Sequence, residues 1–186
     1  MSKKILVIVD AQNDFITGAL GSDEAKAVLP NICEKIKTFS DGVIITTQDT
    51  HSADYLSTKE GEKLPVEHCI KYTTGWGINL EVAATMVSKV AMDSTVTMDS
   101  VEKPTFGSTE LIEKIRNYVN DEEFDITFVG YCTDICVISN ALAVKMNFYD
   151  KANVYVDADC CAGVTENKHK AAIEVMKSCQ INIENE

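Results

Sequence analysis

Two cysteines, Cys132 and Cys136, stand four apart in the stretch YCTDICV at residues 131–137. That spacing is not the C-x-x-C of a redox pair, and no second cysteine pair completes a zinc clip. Cys136 falls where a helical pattern begins. Unpaired N–H groups and the positive end of a helix favour a thiolate there. The same N–H groups could steady an oxyanion, Cys132 contributing its backbone amide. The competing reading for any lone cysteine is a small buried hydrophobe. Cys136 is lifted above it by its company. Asp10 closes the apolar run ILVIVD and could take a thiol proton as a general base, or serve only as a turn acid. Lys103 sits in SVEKPTFGST, ahead of Pro104 and a Gly-Ser helix start. A lone lysine is usually solvated. One held beside Asp10 and a thiol would balance the first and lower the pKa of the second.

A second group has the composition of a metal site. QDTH supplies Asp49 and His51, and LPVEHC supplies His68, out of only three histidines in the chain. Two imidazoles and a carboxylate with open positions suit zinc, manganese or iron. Glu60, in STKEGEK, is a candidate fourth ligand. The third histidine, His169, lies in the lysine-rich ENKHK and reads as surface. Phe15, Trp76 and Phe106 are either ordinary core or the walls of a pocket for a flat substrate. No Walker loop, G-x-G-x-x-G, G-x-S-x-G or H-E-x-x-H occurs.

These residues need elements to position them. Residues 5–10, 43–49, 126–130 and 153–159 are short β-branched apolar runs, read as buried strands. Residues 94–100 and 181–185 are weaker strands. Apolar residues recur at helical spacing over 22–39, 108–119, 133–148 and 165–178, with Ser22 and Ser108 as starts. Strands alternating with helices imply a three-layer α/β/α domain, residues 1–186, around a mostly parallel sheet. In such a sheet ligands sit beyond the carboxyl ends of the strands. Asp10, Asp49, His51, Lys103 and the 131–136 stretch all follow strands. Residues 50–74 fit neither period, and a loop of that length is often functional.

Composition bounds the partners. With 45% hydrophobic and 25% charged residues the chain has an ordinary globular balance. A formal charge of −12 argues against nucleic acid or an anionic membrane. Seven scattered cysteines read mainly as reduced thiols. The start, MSKKILVIVD, has only a short apolar run broken by an acid, and a cytoplasmic location is expected.

The stretches VIVDAQNDFITG, QDTH with the later HC, EKPTFGST and GYCTDICV, in this order over nearly the whole chain, resemble the isochorismatase-like cysteine hydrolases. The pattern is closest to their nicotinamidase branch. The resemblance implies an Asp–Lys–Cys triad at Asp10, Lys103 and Cys136. It implies a cis peptide at Tyr131–Cys132, with the amides of Cys132 and Cys136 forming an oxyanion hole and Tyr131 at the pocket. It implies a divalent metal, zinc before manganese or iron, on Asp49, His51 and His68, with Glu60 where some members add a ligand. The isochorismatase branch itself lacks this cysteine and this metal triplet, so both features speak for amide hydrolysis. A homo-oligomer in pyridine-nucleotide salvage is the implied setting, with a small amide as substrate. Another small amide or ureido compound, or a non-catalytic thiol sensor, are the alternatives. Two positions depart from the pattern: Pro65 stands where a bulky aromatic is common, and Tyr72 replaces a glycine. Both are expected beside the pocket.

Overall fold

The computed structural model describes residues 2–186. Six strands form one sheet in the order β3-β2-β1-β4-β5-β6. They are β1 (Lys3–Val9), β2 (Gly42–Asp49), β3 (Val96–Lys103), β4 (Phe124–Tyr131), β5 (Ala152–Ala162) and β6 (Asn182–Glu184). Every neighbouring pair is parallel. The helices are α1 (Asn13–Ile16), α2 (Asp23–Thr38), α3 (Lys59–Lys63), α4 (Leu80–Met92), α5 (Thr109–Val119), α6 (Ile138–Phe148) and α7 (Glu166–Ser178).

The continuous apolar runs mark strands covered on both faces. Along β1, Ile5, Val7 and Val9 point into the layer made by α5, α6 and α7. Leu6 and Ile8 point the other way, toward α1, α2 and α4. The helices begin where side chains satisfy their first amides. Ser22 Oγ accepts from Ala25 N at 3.0 Å, Ser108 Oγ from Leu111 N at 3.1 Å and Thr165 Oγ1 from Lys168 N at 3.3 Å. Each such cap stabilises its helix by about 1 kcal/mol. No helix among the described residues is long and apolar enough to cross a membrane.

Several elements differ from the sequence expectation. The short helices α1 and α3 have no counterpart in it, and neither has the longer α4. Val82 and Met86 face inward, but Leu80, Val87 and Met92 are exposed, so no polar face sharpens the helical period. β3 runs on through Lys103, which pairs in register with Asp49 at the end of β2. And the chain does not enter α6 directly: residues Thr133–Val137 form a π-helical turn first. A run of alternating periods cannot announce such a turn, because its apolar residues fit the α pattern nearly as well.

Candidate active site

β1, β2, β3 and β4 are adjacent, and their carboxyl ends deliver the site. Asp10 leaves β1 with a left-handed φ of 48°, which turns its carboxylate across the top of the sheet. Its backbone N–H donates to the Thr47 carbonyl at 3.2 Å, and the Thr47 hydroxyl donates to Asp10 Oδ1 at 2.6 Å. Lys103, the last residue of β3, is wholly buried. Its Nζ lies 2.7 Å from Asp10 Oδ2, 3.4 Å from Cys136 Sγ and 3.4 Å from Asp49 Oδ1, and donates to the Thr105 carbonyl at 3.1 Å. The solvated lysine of the default reading is thus a buried cation shared by two carboxylates and a thiol.

The electrostatics invert one expectation. Burial drives the Cys136 thiol well above its ordinary pKa, the Asp10 carboxylate adds to this, and Lys103 only partly offsets it. Desolvation and a facing anion thus outweigh the helix end and the cation and favour the thiol form of Cys136 over the thiolate that its place at a helix start suggested. Burial likewise raises Asp10, against the pull of Lys103. For Lys103 burial works toward neutrality, but the neighbouring acids, Asp10 before Asp49, outweigh it and hold the amine protonated.

Asp49, His51, Glu60 and His68 form the second cluster, with one donor atom from each lying within 4.8 Å of the other three. His51 Nε2 is 3.0 Å and His68 Nε2 3.5 Å from Asp49 Oδ2, and Glu60 Oε1 is 3.9 Å from His51 Nε2. His68 Nδ1 lies 2.8 Å from the Val66 carbonyl, which aims Nε2 inward. Tyr55, fully buried, lays its ring 4.6 Å from His51 and 5.0 Å from His68. Burial acts to raise Asp49, but bonds to the two imidazoles and the Lys103 charge hold its carboxyl far below the ordinary range. An ionised carboxylate, two fixed imidazoles and a second acid converging on one point fit a divalent cation.

Both clusters open into one cavity of about 420 Å³. Phe15, Phe106, Tyr131, Cys132 and Cys136 line it, as do Asp49, Glu60 and His68 from the donor cluster. The Tyr131–Cys132 peptide is cis. The Tyr131 hydroxyl donates to the Ala25 carbonyl at 2.9 Å, which fixes the ring in the wall. Trp76 is a correction. It does not line the cavity; its Nε1 donates to Thr50 Oγ1 at 2.9 Å, and its carbonyl accepts from Gln12 and Gln48. Tyr72 is a correction too: it is outside the cavity lining and 83% exposed, with its ring edge-on to Trp76. Pro65 directly follows Leu64, which lines the cavity. His169 is a third: it is half-buried, with Nδ1 2.8 Å from Thr133 Oγ1.

Three braces escaped the sequence reading. Gln12, fully buried, donates to the Asp49 and Trp76 carbonyls and accepts from Asp49 N, all at 2.8 Å, locking β1 to β2 beside the site. Asn140 donates to the Cys136 carbonyl at 2.8 Å and the Phe106 carbonyl at 3.1 Å, and accepts from Ser108 N. Thr47 orients Asp10. The only signal was a polar residue on an apolar face, visible for Asn140 in ISNALAV and for Thr47 in VIITTQD.

An isochorismatase-domain family model matches residues 4–184. The chain belongs to the isochorismatase family. Pyrazinamidase of Pyrococcus horikoshii, solved in complex with zinc, superposes with a TM-score of 0.75 at 25% identity, covering 97% of this chain and 98% of that one. A pyrazinamidase/nicotinamidase from Streptococcus mutans superposes at 0.81 and 23% identity, with 97% and 99% covered. A nicotinamidase/pyrazinamidase from Bacillus subtilis gives 0.80 and 22%, with 98% and 100% covered. At those last two identities the likeness speaks for the fold alone. No curated protein sequence matches significantly.

Proposed function

We propose that this isochorismatase-family chain is a metal-dependent cysteine amidohydrolase that converts nicotinamide and water to nicotinate and ammonia. One observation carries the reading: Lys103 Nζ bridges Asp10 to Cys136, and Cys136 lines the same cavity as Asp49, Glu60 and His68 of the donor cluster. The pyrazinamidase from Pyrococcus horikoshii, a structural relative with zinc, supports zinc over manganese or iron for Asp49, His51, His68 and Glu60. When bound, the cation would act as a Lewis acid that holds the pyridine nitrogen and so orients the ring.

The chain's own residues carry the chemistry. Asp10, raised by burial and ion-paired to Lys103, takes the proton from Cys136 Sγ as the amide carbon comes within reach. The sulfur then attacks that carbon, and the amides of Cys132 and Cys136 receive the developing oxyanion. Among the described residues the Cys132 N–H has no other acceptor. Asp10 returns its proton to the departing nitrogen, and ammonia leaves a thioester on Cys136. Asp10 next deprotonates water, which attacks the thioester carbonyl; the C–S bond breaks, Asp10 returns the proton to Cys136 Sγ, and the carboxylate product leaves. Lys103 stays charged throughout and offsets the negative charge passed between Asp10 and Cys136. Phe15, Phe106 and Tyr131 form the apolar walls against a flat ring. A resting thiol, deeply buried and driven upward, does not favour a thiol sensor, which needs an exposed thiolate. The setting that accompanies this reading is a cytoplasmic homo-oligomer in pyridine-nucleotide salvage.

The test is ammonia release from nicotinamide by purified protein stripped with a chelator, then supplied with zinc, manganese or iron. Release restored by one of these metals is expected. Absence of release with every metal, while other small amides are hydrolysed, would move the substrate and keep the chemistry.

A further inference from the structure

We propose that His169 is a positioning residue for Cys136, acting through Thr133. The proposal rests on the amidase reading for its kinetic arm and stands on geometry of its own. The turn that carries Cys136 is held weakly by its own backbone. In Thr133–Val137 the amides of Ile135 and Val137 both point to one carbonyl, that of Cys132, each at 3.1 Å. That sharing replaces the one-to-one ladder of an α-helix, so the orientation of Cys136 depends on pins from outside.

Two kinds of pin are present. Asn140 holds the Cys136 carbonyl from within α6. The others come from the connection after β5 and from α7. Val164 N donates to Asp134 Oδ1 at 2.9 Å, and His169 Nδ1 lies 2.8 Å from Thr133 Oγ1. Thr133 is wholly buried, three residues before the nucleophile. The fit is tight: a Cβ at Gly163 would come within 2.8 Å of Asp134 Oδ1 and 2.9 Å of His169 N. Ala162, Gly163 and Val164 also line the substrate cavity. The segment that pins the turn is thus the segment that walls the substrate. Asp134, Asp159, Glu166 and Lys170 are the charged groups around the His169 ring; burial, helped by Lys170, outweighs the three acids and lowers its pKa. A neutral ring leaves Nδ1 free to accept from, or donate to, the Thr133 hydroxyl.

The experiment exploits which ring nitrogen is used. An asparagine side chain places a polar atom near the Nδ1 position, and a glutamine places one near Nε2. His169→Ala, His169→Gln and His169→Asn are compared with wild type for kcat and KM on nicotinamide, for the rate of Cys136 alkylation by iodoacetamide, and for Tm. His169→Ala and His169→Gln are expected to lose kcat about ten-fold at unchanged KM, the size of one lost hydrogen bond. His169→Asn recovers most of it, and alkylation follows the same ranking. If His169→Ala does not fold, Thr133→Val against Thr133→Ser repeats the contrast with the hydroxyl alone. Equal kcat in all variants, or asparagine no better than glutamine, overturns the proposal. Should wild type release no ammonia from nicotinamide, the amidase reading fails separately. The alkylation ranking then decides: asparagine nearer to wild type than glutamine upholds the pin, and a flat ranking rejects it.

Discussion

The two clusters that share Asp49 are built on different foundations. The Asp10–Lys103–Cys136 cluster stands on strand ends whose register is set by the sheet: Asp49 faces Lys103 across β2 and β3, and Thr47 of β2 clamps Asp10. The donor cluster takes Asp49 from β2, but His51 and His68 come from loops after it and Glu60 from the short helix α3 between them. One β-bridge, His51 with Ile70, ties these loops together. The charges differ as well. In the first cluster a buried cation is matched to buried acids. In the second, two acids and two imidazoles turn lone pairs on a common point, where a divalent cation offsets their repulsion. The first set is therefore positioned by strand register, whereas the second is positioned by loop contacts, the Val66 carbonyl on His68 and the Tyr55 ring on both imidazoles.

The sharpest way to separate the two is Cys136→Ala. On the mechanism proposed, kcat on nicotinamide falls by at least about 10⁴-fold, as expected when a nucleophile is removed. Metal stoichiometry, measured by competition with a chromophoric chelator, stays as in wild type. Full activity would remove Cys136 from the chemistry. Loss of metal binding would mean that the clusters are one unit.

Lys103 is the group both clusters use, and Lys103→Met asks what it holds together. The substitution keeps the stem and removes the charge, leaving Asp10 and Asp49 buried without their cation. Breaking a buried pair in this way costs about 3–5 kcal/mol. Urea denaturation should show that loss. Bound zinc should recover part of it through Asp49 alone, since Asp10 lies outside the donor group.

His68→Ala attacks the other side. Loss of one of four donors should weaken zinc by more than about 100-fold, beyond the upper end of what outer-sphere changes cost. Alkylation of Cys136 should be unchanged, because His68 contacts Asp49 and not the triad. A changed alkylation rate would show that the loop helps to position the thiol after all.

How far the sequence could reach follows the same division. Strand ends are legible because an apolar run stops at a visible place, so Asp10 and Asp49 were readable as site candidates from VIVD and TTQD. Lys103 was readable only from its place before Pro104 and a Gly-Ser helix start, after a weak strand whose period is blurred by exposed Met98 and Ser100. The metal donors were readable from scarcity, there being three histidines in all. What periodicity hides is direction. Trp76 and Tyr72 sit near the site in the chain and turn away from it, while His169, distant in the chain and flanked by lysines, folds in behind the nucleophile. The resting state of Cys136 was hidden too, since burial on every side cannot be read from its neighbours in the chain.

That resting state gives the smallest and most discriminating prediction. Asp10 has two opposed effects on Cys136: it accepts the thiol proton in the reaction, and its negative charge keeps that proton on sulfur beforehand. Asp10→Asn removes both. Without the facing anion, Lys103 acts on the thiol unopposed from that side, and the thiol pKa must move down. The sign follows: a larger thiolate fraction at any pH below the thiol pKa. Alkylation of Cys136 at neutral pH should therefore rise several-fold in Asp10→Asn, while ammonia release collapses for want of a base. A thiol that becomes more reactive as the enzyme becomes inactive separates nucleophilicity from catalysis. The outcome that would break this account is slower alkylation in Asp10→Asn. It would mean that Asp10 activates the sulfur before substrate arrives, and that the triad carries a thiolate at rest.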